Sequence, residues 1–130
     1  MTFVRRQPGS HAATGAKARA VRLAKAEPDL ILVACVKQKL SVPSAAKNLY
    51  ISTLFRKGRA YAERASVPWF ILSAEHGLVD PDDELAPYDL RLSKTPPEYR
   101  GAWGVRVVEK LAAVIGPLAS KTIEVHAGAA

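Results

Sequence analysis

The sequence predicts an α/β fold, a three-layer Rossmann-like arrangement around a small, mainly parallel sheet. Two apolar runs and their spacing lead to this reading. Leu30 to Cys35 (LILVAC) and Pro68 to Ser73 (PWFILS) are continuous and rich in strand formers, as strands buried on both faces must be. Helix-compatible stretches separate and follow them, so the order reads β-α-β-loop-α-β. That order implies right-handed crossovers and a parallel sheet.

Taken in order, residues 1–27 read as a basic N-terminal arm or helix, and residues 28–130 as a single α/β domain. Pro8, Gly9 and Ser10 mark a loose start. His11 to Ala26 is Ala- and base-rich and can form a helix that ends before Pro28. After the first strand, Val36 to Ser44 is a polar loop with Lys37, Gln38, Lys39 and Pro43. Ser44 to Tyr50 predicts a short helix and Leu54 to Ala65 a longer one. In the longer helix Leu54, Gly58, Tyr61, Ala62 and Ala65 lie near one face, with Arg56, Lys57, Arg59, Glu63 and Arg64 on the rest. The second strand leads into an acidic loop through Asp80-Pro81 and Ala86-Pro87. Thr95-Pro96-Pro97-Glu98 predicts a helix start, with Thr95 as N-cap, Pro96 at the first helical position and Glu98 closing a capping box. That helix should run to Ile115, bury Tyr99, Trp103, Val107, Leu111 and Val114, and stop at Gly116-Pro117. Thr122 to His126 is the third strand. The sequence stops at Gly128-Ala129-Ala130, where a doubly wound domain normally adds a helix. This predicts either an unusually small sheet or a truncated version of a longer fold.

Composition narrows the function classes. At 130 residues with 48% hydrophobic content, the chain has material for one core. No apolar run spans a bilayer, and the N-terminus has no apolar h-region, so neither a membrane protein nor a secretory signal is expected. The basic, nearly acid-free N-terminus superficially resembles a transit peptide, but its helical pattern is weak. A single cysteine agrees with a reducing cytoplasm. The net charge of +7 is uneven: bases dominate up to Ser66, and acids dominate from Glu75 to Asp89. Such polarity favours a polyanionic partner, DNA or RNA, on one face; the plain alternative is a solvated basic surface.

In open α/β sheets ligands bind where the chain leaves the carboxyl ends of strands. The first strand delivers Cys35, Lys37 and Lys39 there, the second Ser73, Glu75, His76 and Gly77, and the third His126 and Gly128. Cys35 beside two lysines reads as a charge-stabilised thiolate or as an inert core cysteine. Lys37 and Lys39 fit an anion as point charges, or lie solvated in a loop. Histidine is the usual acid–base side chain, which makes His76 the first catalytic candidate; alternatively it bonds Asp80 or backbone. Ser73 joins Cys35 and His76 as a candidate, although no Gly-x-Ser-x-Gly elbow surrounds it. Gly77 supplies a positive φ or a close approach. Asp80, Tyr88 and Asp89 line the expected pocket, while Asp82 and Asp83 read as a turn. Tyr88 otherwise packs the loop onto the sheet. Arg56, Lys57, Arg59 and Arg64 would hold nucleic-acid phosphate. No metal or cofactor is expected: the three histidines lack ligand spacing, there is no pair of cysteines, and no nucleotide-binding glycine loop is present.

Four segments resemble an uncharacterised family of bacterial and phage domains. They are Cys35-x-Lys37-x-Lys39, Leu49-Tyr50-x-Ser52-x-Leu54-Phe55-Arg56-Lys57, Trp69-Phe70-Ile71-Leu72-Ser73-Ala74-x-His76-Gly77-Leu78-Val79-x-Pro81, and Leu85-Ala86-Pro87-Tyr88-Asp89. The resemblance covers about Leu30 to Gly128. The Ser73 to Tyr88 pattern is more distantly similar to the YaaA peroxide-stress family, which is associated with DNA binding and oxidative protection of DNA. The resemblance implies an α/β fold with a nucleic-acid or nucleotide connection and no established reaction. Two departures stand out: Val36 replaces an expected Gly, and the family's further helix after the His-Ala-Gly segment is absent.

The expected function is therefore a nucleic-acid-associated domain that binds a nucleotide or phosphate at the carboxyl edge of its sheet and acts on a nucleoside. One alternative is a non-catalytic interaction or oligomerisation module, antitoxin-like, completed by a second copy or a protein partner. Another is a small-molecule enzyme using Cys35.

Overall fold

The start of the first apolar run is buried: Leu30, Ile31, Leu32 and Val33 are at most 4% exposed. A strand with neighbours on both edges and helices on both faces requires this. The computed structural model describes residues 27–34 and 39–127. Within them β1 (Leu30–Ala34) lies between β3 (Trp69–Ser73) and β6 (Ile123–His126), parallel to both. A further strand, β4 (Gly77–Val79), borders β3, so the sheet order is β4-β3-β1-β6. The fold is α/β, with a mixed, mostly parallel four-stranded sheet. The predicted arm up to residue 26 lies outside the described residues, as do residues 35–38 and 128–130.

One face of the sheet is covered by α2 (Thr53–Arg64), whose Phe55 and Ala62 pack with Ile31, Val33 and Ile71. The opposite face takes α3 (Pro97–Ile115), whose Val107 and Leu111 join Leu30, Leu32 and Leu78. The layers are therefore helix, sheet, helix. α2 starts on Ser52, whose side chain accepts the Phe55 N–H at 3.2 Å, and its Gly58 meets the sheet closely. A Cβ there would lie 2.9 Å from Val33 Cγ1.

The sheet is mainly parallel, as the sequence predicts, and the acidic loop begins as β4, an antiparallel edge strand on β3. Gly77 makes the reversal with φ at +75°, where residues with a Cβ are strained. The helix expected at Ser44 to Tyr50 shrinks to α1 (Ala46–Leu49). Ser44–Ala45 instead form β2, paired antiparallel with β5 (Glu84–Leu85). The first N–H groups of α1 are taken up by the acidic turn, Ala46 donating to Asp83 O and Lys47 to Pro81 O.

The α3 capping box does not form. The helix begins one residue later, at Pro97, so Glu98 is too near the start to reach back. Thr95 Oγ1 donates instead to Leu92 O at 2.6 Å, closing the 3₁₀ turn Leu92–Lys94. Val114 is 45% exposed, because it falls off the stripe formed by Trp103, Val107 and Leu111. Ile115 packs in its place.

The connections also fix where a crevice opens. From β1 the chain crosses by α2 to β3 on one side, then returns by α3 to β6 on the other. The strand order thus reverses between β1 and β6, with the two crossover helices on opposite faces. That is a topological switch point, the usual ligand crevice of open α/β sheets.

Candidate functional site

Two polar clusters flank the carboxyl end of β1, one on the β3 side and one on the β6 side. The first is built on the β3–β4 hairpin. Ser73 ends β3 and is fully buried. Its Oγ accepts the His76 N–H at 3.0 Å and shares a 2.8 Å hydrogen bond with Tyr88 Oη. Tyr88 Oη in turn shares a 2.8 Å bond with Tyr50 Oη, giving a chain of three linked hydroxyls. Lys39 Nζ sits 4.3 Å from the centroid of the Tyr88 ring, a cation–π contact. The His76 ring meets Tyr88 edge-on at 5.6 Å, with its Nε2 3.5 Å from Glu75 Oε2.

Helix α3 holds this hairpin from the other face. Tyr99 Oη donates to Ala74 O, Trp103 Nε1 to Ser73 O and Lys110 Nζ to Leu78 O, each at 2.8 Å. The Val107 side chain lies beside Gly77. These residues fall on one helical stripe, so a single helix face satisfies the carbonyls that the turn frees from the ladder.

The candidates meet different fates. His76, Ser73, Tyr88 and Lys39 come together with Gly77 at the turn. Ser73 carries no exposed surface and its hydroxyl is already engaged, so its geometry is that of a positioning residue. It bonds Tyr88 and the His76 backbone. Asp80 is drawn into its own turn: its Oδ1 accepts the Asp82 N–H at 2.8 Å, and its N–H donates to Asp83 Oδ2. Asp82 pairs with Lys47 at 2.7 Å. The acidic stretch therefore fastens α1, and no bond joins Asp80 to His76 among the described residues. Asp89 is exposed. Cys35 and Lys37 lie outside the described residues.

On α2, Arg56, Lys57 and Arg64 are exposed. Arg59 differs, since its guanidinium bonds Glu63 at 3.0 Å, Lys47 O at 2.7 Å and Asn48 Oδ1 at 2.8 Å. It ties α2 to α1. Because α2 returns the chain between two parallel strands, its N-terminus lies at the carboxyl edge of the sheet, which adds positive potential there.

The second cluster lies on the edge strand β6. His126 Nε2 is 2.6 Å from Glu124 Oε2, and the His126 and Tyr61 rings are 4.6 Å apart at 43°. The hydrogen bond to Glu124 is the main reason the Tyr61 hydroxyl is raised above its ordinary pKa of 10.0. Bonds from His126 and Tyr61 hold the Glu124 carboxyl below its ordinary value of 4.5. Beside this cluster a half-open cleft of ≈ 340 Å³ runs between α2 and β6, lined by Leu54, Lys57, Gly58, Tyr61 and His126, with Ala34 at the end of β1.

Sequence reasoning missed Tyr50, Tyr61, Trp103 and Glu124 as site residues. Helical periodicity places Trp103 and Tyr61 on inner faces, but it does not report the hydrogen bond at the rim of such a face. Tyr50 and Tyr88 are 38 positions apart, and no local pattern pairs them.

No match is found among curated proteins or solved structures. Residues 30–130, which hold both clusters, match a family model described as a family of unknown function, DUF6884, and the chain belongs to that family.

Proposed function

We propose that this domain binds nucleic acid through its phosphates at the carboxyl edge of the sheet. The observation that carries the reading is the gathering of cations there. Lys39 stands over Tyr88, and Arg56 and Lys57 ride on the first turns of α2, whose N-terminus faces the same edge. Arg64 extends the basic face along the helix. The formal charge of +7 and the resemblance of the Ser73–Tyr88 pattern to DNA-associated proteins point the same way. His76, half-exposed beside the Tyr88–Ser73 hydroxyls, is the group we assign to proton transfer on a bound nucleoside or phosphodiester.

The test is binding to single- and double-stranded DNA and RNA across a salt series. A steep loss of affinity with salt is expected, since each phosphate that the protein neutralises releases counterions. Replacing Arg56 and Arg64 by Gln should flatten the log–log slope by about 1 for each phosphate that is no longer neutralised. A wild-type chain that binds none of these polymers at low salt would sink the proposal.

A second reading has its own observation. Val105 and Val108 lie 58% and 52% exposed, three positions apart on the outer surface of α3, and so stand side by side on the helix. Self-association through that surface would make the domain an oligomerisation module. Sedimentation at rising concentration tests this, and a monomer throughout removes it.

A further inference from the structure

We infer that the cleft between α2 and β6 is a subsite for one unpaired nucleotide, with its base against Tyr61 and His126 and its phosphate on Lys57. This rests on the nucleic-acid reading above and names the part of the ligand that the basic face does not explain.

The cleft opens at the switch point between β1 and β6, where Ala34 and His126 end their strands. At this crevice the two crossover helices lie on opposite faces of the sheet, the arrangement that leaves a crevice in open α/β sheets. The α2 wall is low because Gly58 lets the helix lie almost on Val33. The volume of ≈ 340 Å³ is at the small end of ligand pockets, the scale of one nucleotide rather than a chain.

The lining has the matching chemistry. Tyr61 is 40% exposed and Leu54 55% exposed, and both belong to the cleft wall together with Lys57. These positions recur at three and four residues, so they form one stripe along α2. The stripe presents an aliphatic group, a cation and an aromatic ring in succession. The cation makes no hydrogen bond or ion pair among the described residues. His126, in ring contact with Tyr61, extends the aromatic surface. Glu124 holds the His126 ring at Nε2, and that ring lies against Tyr61, so the platform is in place before any ligand arrives. Lys57, on the α2 wall of the cleft, supplies the positive charge for the phosphate.

Aromatic platforms beside cations are how proteins take unpaired bases, because every base has a stacking face. A duplex end or an inorganic anion satisfies only half of this arrangement. Lys57 belongs both to the exposed basic face of α2 and to the cleft, so a strand following the basic face brings its next base to the ring pair.

The test uses the full chain and four nucleoside 5′-monophosphates, with inorganic phosphate as control, observed through the His126 ring resonances. Saturable shifts are expected with the monophosphates and not with phosphate alone. Tyr61→Ala should weaken binding about tenfold, in line with the loss of one base–aromatic stack. Leu54→Glu and Lys57→Gln change exposed helix positions that the fold does not need, and each should weaken binding several-fold. If no monophosphate shifts His126 at millimolar concentration, the subsite is wrong. The same holds if inorganic phosphate reproduces the shifts, or if Lys57→Gln and Leu54→Glu bind like wild type. Oligonucleotide binding without monophosphate binding removes the subsite and leaves the basic face. Monophosphate binding without salt-dependent oligonucleotide binding keeps the subsite and removes the polymer reading.

Discussion

The two sides of β1 solve the same problem differently. On the β3 side the polar groups sit in the core: Ser73 and Tyr50 are buried, and the turn carbonyls are taken up by Trp103 and Tyr99. The hydroxyls and turn carbonyls there bond one another, so the hairpin is a support on which His76 and Lys39 are carried. On the β6 side Glu124 bonds His126, whose ring lies against Tyr61, near the surface of an edge strand with the open cleft beside them. Buried networks lose much when one member is deleted, because the remainder is left unsatisfied in a low dielectric. Surface networks are repaired by water. The first side should therefore govern stability and the second side binding.

The largest effect should come from cutting the clamp. Trp103→Ala removes the ring from the cluster with Leu72, Leu78 and Val107 and leaves the Ser73 carbonyl without its indole donor. A loss of about 3–5 kcal/mol is expected by denaturant unfolding. A cost near zero would show that the hairpin stands without α3.

Tyr88→Phe comes next. It keeps the ring under Lys39 but breaks both hydroxyl links, leaving Tyr50 and Ser73 with one partner fewer, for about 1–3 kcal/mol. The cleft should bind as before. A binding loss equal to that of Tyr61→Ala would mean the two sides are one coupled site.

Gly58→Ala probes the seam between the sides. The new Cβ collides with Val33, and such overpacking costs about 1–3 kcal/mol, while Ala recovers up to about 1 kcal/mol of helix propensity. The net result should be a small destabilisation together with altered His126 resonances, since His126 Cβ would lie 3.7 Å from the added carbon.

The smallest effect is the pH dependence of the β6 cluster. Glu124 is held below its ordinary value of 4.5, so between the lowered value and 4.5 the unfolded chain binds more protons. Stability from this group is complete above 4.5 and is lost as pH falls through the lowered value. Tyr61 is raised above 10.0, so the unfolded chain loses its proton first and stability declines as pH climbs past 10. Comparing wild type with Glu124→Gln should show a gap of about 0.2–1 kcal/mol near neutral pH, typical of exposed pairs, that closes as pH falls below 4.5. A gap that persists in acid would assign the effect to packing instead.

Much of this was legible in the chain. The runs LILVAC and PWFILS announced two central strands because a strand covered on both faces leaves little room for polar alternation. The TIEVH segment announced the third. Gly77 was legible as a turn, and Tyr88 as a residue that packs the loop onto the sheet, where it bonds Ser73. The β3–β4 hairpin was not: Gly77-Leu78-Val79 is too short to show a period, and its acidic sequel reads as coil. The capping box at Thr95 failed because two consecutive prolines offered two helix starts, and the sequence alone does not choose between them.

By itself, then, the sequence determined the α/β class, the order of its principal strands and helices, the basic helix and the general edge at which ligands are expected. Those properties follow from local periodicity and charge. Only the tertiary structure decided which side chains face one another: Tyr50 with Tyr88, Trp103 with Ser73, and Tyr61 with His126. Such pairs are made by crossovers that bring together residues tens of positions apart, and their partners are chosen by packing distance, which no spacing along the chain records.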